Sequence, residues 1–168
     1  MLEILPYQKL SKSDSILLLP EAMKRVAHNR TKLILLIGKP ESGKTQILQE
    51  LSDNHKTPVF SLGYEISKAI LEGLSNDKIL GFLREKLGSK KSIKFLDNLE
   101  VLFARSLDLN PLDILKLLAR DQVILACLPG QVIDGNLIFA EASTPEYKSY
   151  SKYELKDIVL FELLGDRE

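Results

Sequence analysis

The stretch Leu33-Ile34-Leu35-Leu36-Ile37-Gly38-Lys39-Pro40-Glu41-Ser42-Gly43-Lys44-Thr45 decides the reading of this chain. Its first five residues are apolar without alternation and are bounded by turn signals, which suits a strand buried on both faces of a parallel sheet. The next eight match G-x-x-x-x-G-K-[ST] in full. From Lys44 to about Asn54 the pattern turns helical, with Ile47, Leu48 and Leu51 on one side. A strand, a glycine-bearing loop and an amphipathic helix therefore follow one another, which is the context this motif requires.

The chemistry implied by residues 38–45 follows from charge and backbone geometry. Glycines let the main chain curl closely around phosphate oxygens. Successive backbone N–H groups form an anion nest, and the helix that starts near Lys44 turns its positive end to the same place. Lys44 supplies an ammonium to the β- and γ-phosphates, and the Thr45 hydroxyl is placed to ligate Mg²⁺. The expected nucleotide-binding set is thus Gly38, Lys39, Pro40, Glu41, Ser42, Gly43, Lys44 and Thr45, with ATP and Mg²⁺ as the cofactors.

Asp97 closes a second short apolar run, Ile93-Lys94-Phe95-Leu96-Asp97. An acid at such a strand end completes a Mg²⁺ shell, so Thr45 and Asp97 are the expected metal residues. The bland alternative is an Asp that caps the next helix. Many ATPases carry Glu immediately after this Asp to polarise the attacking water; here Asn98 stands there, which can orient a water but cannot take its proton. Glu100 is close in sequence, yet a helical turn over 98–101 would point it elsewhere. Catalysis is assigned to Lys44, Asp97, Asn98 and Arg105, the last as the leading arginine-finger candidate among six arginines. Arg120 precedes a strand and should lie at the opposite edge. Cys127, at the tip of Val123-Ile124-Leu125-Ala126-Cys127, reads as core and not as a polar sensor.

Outward from this centre, the remaining chain alternates strand and helix signals. Residues 1–19 read as an irregular lead-in, and Pro20 as the start of a helix ending near Asn29. Val59-Phe60-Ser61-Leu62 reads as a strand, Tyr64 to Leu87 as two helices broken near Ser75-Asn76, and a helix starts after Asn110-Pro111. Leu137-Ile138-Phe139-Ala140 reads as a fifth strand and Ile158-Val159-Leu160-Phe161 as a sixth. The expectation is an α/β fold: one domain over 1–168, with a lead-in and helix in 1–30, a three-layer core in 31–142, and a loop and edge strand in 143–168. Its sheet should be mainly parallel with five or six strands, and ligands should bind at the carboxyl ends of those strands.

Composition narrows the function classes. Lys and Arg number 23 against 23 Asp and Glu, so the net charge does not indicate DNA contact. The four lysines between Lys86 and Lys94 fit a solvated loop. The single cysteine excludes a disulfide framework, and His28 and His55 stand outside any ligand-spaced cluster. No apolar run approaches the ~18 residues of a membrane span, and no signal peptide is visible, so the expected location is cytoplasmic without membrane partners. A guanine-reading Asn-Lys-x-Asp is absent, which disfavours a GTPase. The scattered arginines do not furnish the lid of a small-molecule phosphotransferase.

The loop at 38–45, the block Phe95-Leu96-Asp97-Asn98-Leu99-Glu100-Val101-Leu102-Phe103, the helix start Asn110-Pro111-Leu112 and the tail Pro145-Glu146-Tyr147 resemble the BrxF family. These are compact P-loop proteins of type 3 BREX bacteriophage-exclusion systems. The resemblance covers about residues 31–150. It implies an AAA-like core without the C-terminal helical lid, with the strand ending at Cys127 between those ending at Gly38 and Asp97. It also implies a role in phage defence beside a DNA methyltransferase, a helicase and a phosphatase-like protein, with homo-oligomerisation a further expectation. Thr144 departs from the family pattern, where His precedes Pro-Glu-Tyr. Two readings therefore compete: an ATP-binding, ATP-hydrolysing switch, favoured by Lys44, Thr45 and Asp97, and a non-catalytic assembly protein with nucleotide bound structurally, favoured by Asn98.

Overall fold

A computed structural model describes residues 6–88, 92–139 and 148–165. In chain order the elements are β1 (Tyr7–Leu10), α1 (Lys12–Val26), β2 (Leu33–Gly38), α2 (Lys44–His55), β3 (Val59–Ser61), α3 (Leu62–Leu71), α4 (Ile79–Leu87) and β4 (Lys94–Asp97). After short 3₁₀ turns at Leu99–Phe103 and Arg105–Leu107 come α5 (Pro111–Leu118), β5 (Ile124–Pro129), β6 (Gln131–Ile133), β7 (Asn136–Phe139), β8 (Lys148–Tyr150), α6 (Lys152–Leu155) and β9 (Val159–Leu163).

Six strands form one sheet in the order β1-β9-β2-β5-β4-β3, and every pairing is parallel. Side-chain alternation sends residues of each strand to opposite faces. Leu33, Leu35 and Ile37 of β2 join Ile124, Ala126 and Leu128 of β5 on one face, under α3, α4 and α5. Ile34 and Leu36 join Leu125, Cys127, Phe95 and Phe161 on the other, under α1 and α2. The unbroken apolar run of β2 follows from this: it has helices on both sides, and all six residues are buried. The expected α/β class and parallel sheet are present, and β5 lies between β2 and β4.

Three features of the sequence reading are corrected. The first helix begins at Lys12, not at Pro20, which lies inside it. Ser11 caps it, its hydroxyl accepting from the Asp14 N–H at 3.1 Å. The buried residues Ser15, Leu18, Leu19, Ala22, Met23 and Val26 form a continuous i, i+3, i+4 stripe across Pro20. Burial of that stripe outweighs the one backbone hydrogen bond the proline removes. Second, the lead-in is not irregular throughout, since Tyr7–Leu10 forms the sheet edge beside β9. The strand near the C-terminus is consequently not at the edge but interior, between β1 and β2.

Third, the strand expected at Leu137–Ala140 does not join the main sheet. Its described part, β7, is the middle of a small antiparallel sheet, β6-β7-β8. Asp134 and Gly135 connect β6 to β7 with φ of 52° and 80°. Positive φ at both central residues is the signature of a tight hairpin turn whose twist matches its strands. The small sheet is anchored by Phe139, stacked on Phe103, and by buried Tyr150, whose hydroxyl donates to Asn110 Oδ1 at 3.3 Å. Desolvation pushes the Tyr150 phenol up to about 12. Tyr150 thus serves packing. Thr144 and Pro145-Glu146-Tyr147 lie outside the described residues.

Candidate functional site

The loop after β2 and the ends of β4 and β5 meet at the carboxyl edge of the sheet, because parallel pairing sets Gly38 opposite Pro129 and Leu96 opposite Ala126. Glu41 and Gly43 adopt positive φ, 64° and 100°, which folds residues 38–43 back over the start of α2. Gly43 is the N-cap of α2 and offers no side-chain cap, leaving the first N–H groups of the helix unpaired by any side chain. The Lys44 ammonium turns into the loop and donates to Gly38 O at 2.9 Å, Lys39 O at 2.8 Å and Ser42 Oγ at 3.2 Å. Desolvation holds the Lys44 pKa below its ordinary value, with the carboxylate of Asp97 opposing that shift. Cys127 itself is buried and its thiol is pushed up by desolvation, so it sits as a neutral core group with Sγ 3.9 Å from Lys44 O.

Thr45 on α2 and Asp97 on β4 are brought together from positions 52 residues apart, with Thr45 Oγ1 donating to Asp97 Oδ2 at 3.2 Å. The other carboxylate oxygen accepts from the Asn98 N–H at 2.9 Å. Asn98 is left-handed, φ 57°, a conformation Asn tolerates better than most residues. Its amide donates to Ser61 Oγ at the end of β3, 2.8 Å away. The bend at Asn98 depends on Gly63. A Cβ at Gly63 would stand 2.6 Å from Asn98 O, a backbone atom that cannot swing aside. Gly63→Ala is expected to cost about 1–3 kcal/mol of stability by overpacking, read as a lowered urea midpoint. An unchanged midpoint would show that this approach is slack.

Lys12 and Gln46 are site residues the sequence reading did not find. The Lys12 ammonium donates to Gln46 Oε1 in the first turn of α2. Its side chain lies over the loop, so that a Cβ at Gly43 would meet Lys12 Cδ, Cε and Nζ at 3.6 to 3.7 Å. No local signal marks Lys12, because it reaches the loop only after α1 has packed beside α2. The sequence reading expects a helical turn to point Glu100 away from the loop. Residues 99–103 do turn, as a 3₁₀ helix, and Glu100 is exposed on it. Arg105 is exposed on the following turn, and its guanidinium makes no hydrogen bond or ion pair among the described residues. Arg120 lies at the opposite edge, as expected from its place before β5. There its carbonyl accepts from Lys32 Nζ at 2.9 Å.

Beside the loop, Lys39 and Pro40 border a cavity of about 380 Å³ whose far wall is Ile138 and Phe139. A larger one, about 710 Å³, opens at the opposite end of the sheet. Among the described residues no group of three or more His, Cys, Asp or Glu side chains could hold a metal. Thr45 and Asp97 offer one hydroxyl and one carboxylate, a hard-oxygen pair that suits Mg²⁺ when phosphate and water complete the shell. No helix among the described residues is long and apolar enough to cross a membrane. No protein-family model, curated protein or solved structure matches the chain.

Proposed function

We propose that this chain binds Mg-ATP on residues 38–45 and works as a nucleotide-dependent switch or assembly subunit, with an AAA-like P-loop core. The observation that carries the reading is the convergence of Lys44, Thr45 and Asp97 on one loop at the carboxyl edge of a parallel sheet. In this reading the loop N–H groups and the start of α2 receive phosphate oxygens, and Lys44 exchanges its loop acceptors for them. Thr45 and Asp97 hold Mg²⁺, which would neutralise charge on the β- and γ-oxygens. The position of β5 between β2 and β4 supports the AAA-like assignment against the kinase–GTPase branch. By the resemblance in residues 38–45 and 95–103, the proposed setting is a BREX phage-defence complex. Its proposed partners are a methyltransferase, a helicase and a phosphatase-like protein.

Titration with a fluorescent ATP analogue tests this, with and without Mg²⁺. Saturable, Mg²⁺-enhanced binding that ATP displaces is expected; no binding would overturn the proposal. Lys12 adds a specific expectation. Its ammonium is exposed and lies over Gly43, so it adds a second, screened cation to the phosphate site. Lys12→Ala should weaken binding about two- to fivefold, with the loss shrinking as salt rises. A salt-independent loss would mean that Lys12 acts by packing.

The alternative, a non-catalytic assembly protein with structural nucleotide, is favoured by Asn98. That residue has a conformational reason for its place, since it makes the left-handed bend after β4. Single-turnover hydrolysis with and without partner proteins separates the two readings.

A further inference from the structure

The hairpin β6–β7 is tied to the phosphate loop through its main chain. β2 and β5 pair as far as Gly38 opposite Pro129, where β2 turns away into the loop. The chain after β5 runs on as β6 without that neighbour. Its first donor, the Gly130 N–H, still reaches Gly38 O at 3.2 Å. Two residues on, β6 is the edge of its small sheet, and the Val132 N–H is taken by a side chain, Glu162 Oε1 at 3.2 Å. The same oxygen accepts from the Tyr7 hydroxyl at 2.8 Å. Glu162 stands on β9 opposite Ile37, the residue before Gly38. One carboxylate oxygen therefore joins the edge strand β1, the interior strand β9 and the hairpin, beside the loop.

The loop end of this tie involves Lys44. Gly38 O has two donors, the Lys44 ammonium at 2.9 Å and the Gly130 N–H. When Lys44 turns to phosphate, Gly38 O is left to Gly130 alone. The change is not absorbed at Gly130, because a Cβ there would stand 3.2 Å from Ile138 O and 3.3 Å from Leu137 Cδ1, so β7 packs directly on it. Farther out the hairpin has room to move. Lys39 and Pro40 face Gln131, Ile138 and Phe139 across the cavity of about 380 Å³. The tip, Asp134-Gly135 with exposed Ile133 beside it, does not line that cavity.

We propose that β6–β7 passes on the occupancy of the phosphate loop: nucleotide on residues 38–45 shifts the hairpin through Gly38 O and the Gly130 N–H, and Glu162 is the positioning residue that sets where the hairpin stands. This rests on the Mg-ATP reading above. Coupling of this kind is reciprocal, so holding the hairpin must in turn act on nucleotide affinity. A hairpin already fixed by Glu162 has little left to order when nucleotide binds, whereas a released one must be ordered first, which weakens binding.

The test is a titration of the full chain with Mg-ATP, followed by two-dimensional amide spectra and by calorimetry on the same sample. The tip amides of Ile133, Asp134, Gly135 and Asn136 should shift saturably, with the dissociation constant that calorimetry gives. Glu162→Ala should displace these amides before ATP is added and weaken ATP binding about fivefold or more. Glu162→Gln keeps Oε1 as an acceptor and should restore both, which a need for the charge itself would not allow. If ATP binds and the tip amides stay in place, the coupling is overturned while the ATP reading stands. If folded Glu162→Ala binds ATP as wild type does, Glu162 has no positioning role. If ATP does not bind, the underlying reading falls and the coupling falls with it. The wild-type titration decides the coupling even if Glu162→Ala fails to fold.

Discussion

Lys44→Ala is expected to reduce ATP affinity by roughly ten- to more than a hundredfold while leaving the fold intact. The affinity loss follows from removing a charge-assisted contact worth about 1.5–3 kcal/mol. Preservation of the fold is the less obvious half, because the lysine makes three contacts inside the loop. Both carbonyls it touches keep another donor. Gly38 O also accepts from the Gly130 N–H at 3.2 Å, and Lys39 O from the Ser42 N–H at 3.2 Å. Neither carbonyl is orphaned by the substitution, and Ser42 Oγ, which loses its lysine partner, is a rotatable hydroxyl that is not buried. Burial also lowers the Lys44 pKa, so the unfolded chain holds this proton more tightly than the folded one. For that group stability is reduced at neutral pH and recovers as pH rises through the lowered folded value toward the ordinary one. Removing the lysine removes this penalty, and the thermal midpoint at neutral pH should stay level or rise. Isothermal titration beside a thermal melt checks both halves. Unchanged affinity would sink the phosphate-loop assignment; lost affinity with a collapsed melt would leave the loop structural and the stated accounting of its carbonyls wrong.

What was legible in the sequence was whatever depended on contiguous residues. Leu33–Gly38 is apolar throughout because helices cover both faces of its sheet, and the loop behind it is written in adjacent letters. Asp97 could be found because a strand end is a local event. Contacts between distant segments could not: Lys12 over Gly43, and Ser61 against Asn98, exist only once α1 and β3 are placed. The failures elsewhere have particular causes. Pro20 masked an apolar stripe that runs through it from Ser15 to Val26. Tyr7–Leu10 buries only Leu10, so it carries no strand pattern that could be seen without its neighbour β9. The Asp134-Gly135 pair was a usable hairpin signal, and it would have moved Leu137–Phe139 out of the parallel sheet.

Turnover is where the site makes its largest demand. The isolated protein at high dilution is expected to bind Mg-ATP yet hydrolyse it slowly. Asn98 cannot accept a proton, and its amide is committed to Ser61. Arg105 is exposed and lacks a partner among the described residues, so it is available to a neighbouring subunit more readily than to its own loop. An arginine supplied in trans is worth 10³–10⁵ in rate in P-loop enzymes. Hydrolysis per protomer should therefore climb steeply with protein concentration or on partner binding, and Arg105→Ala should remove the climb while leaving ATP affinity in place. Asn98→Glu asks whether a base is limiting instead. Because position 98 is left-handed, Glu there carries a conformational cost of roughly 1–2 kcal/mol, so Asn98→Asp is the better-tolerated companion. If either acid raises turnover of the dilute protein, the missing base limits the rate. If neither does and Arg105 matters, the cation limits it. Glu100, exposed on the turn after Asn98, is the remaining nearby acid, and loss of all turnover in Glu100→Gln would assign it the base role that its sequence position argues against. Rapid hydrolysis by a dilute monomer, indifferent to Asn98→Ala and Arg105→Ala, would show that the site works without either residue and that this account of it is wrong.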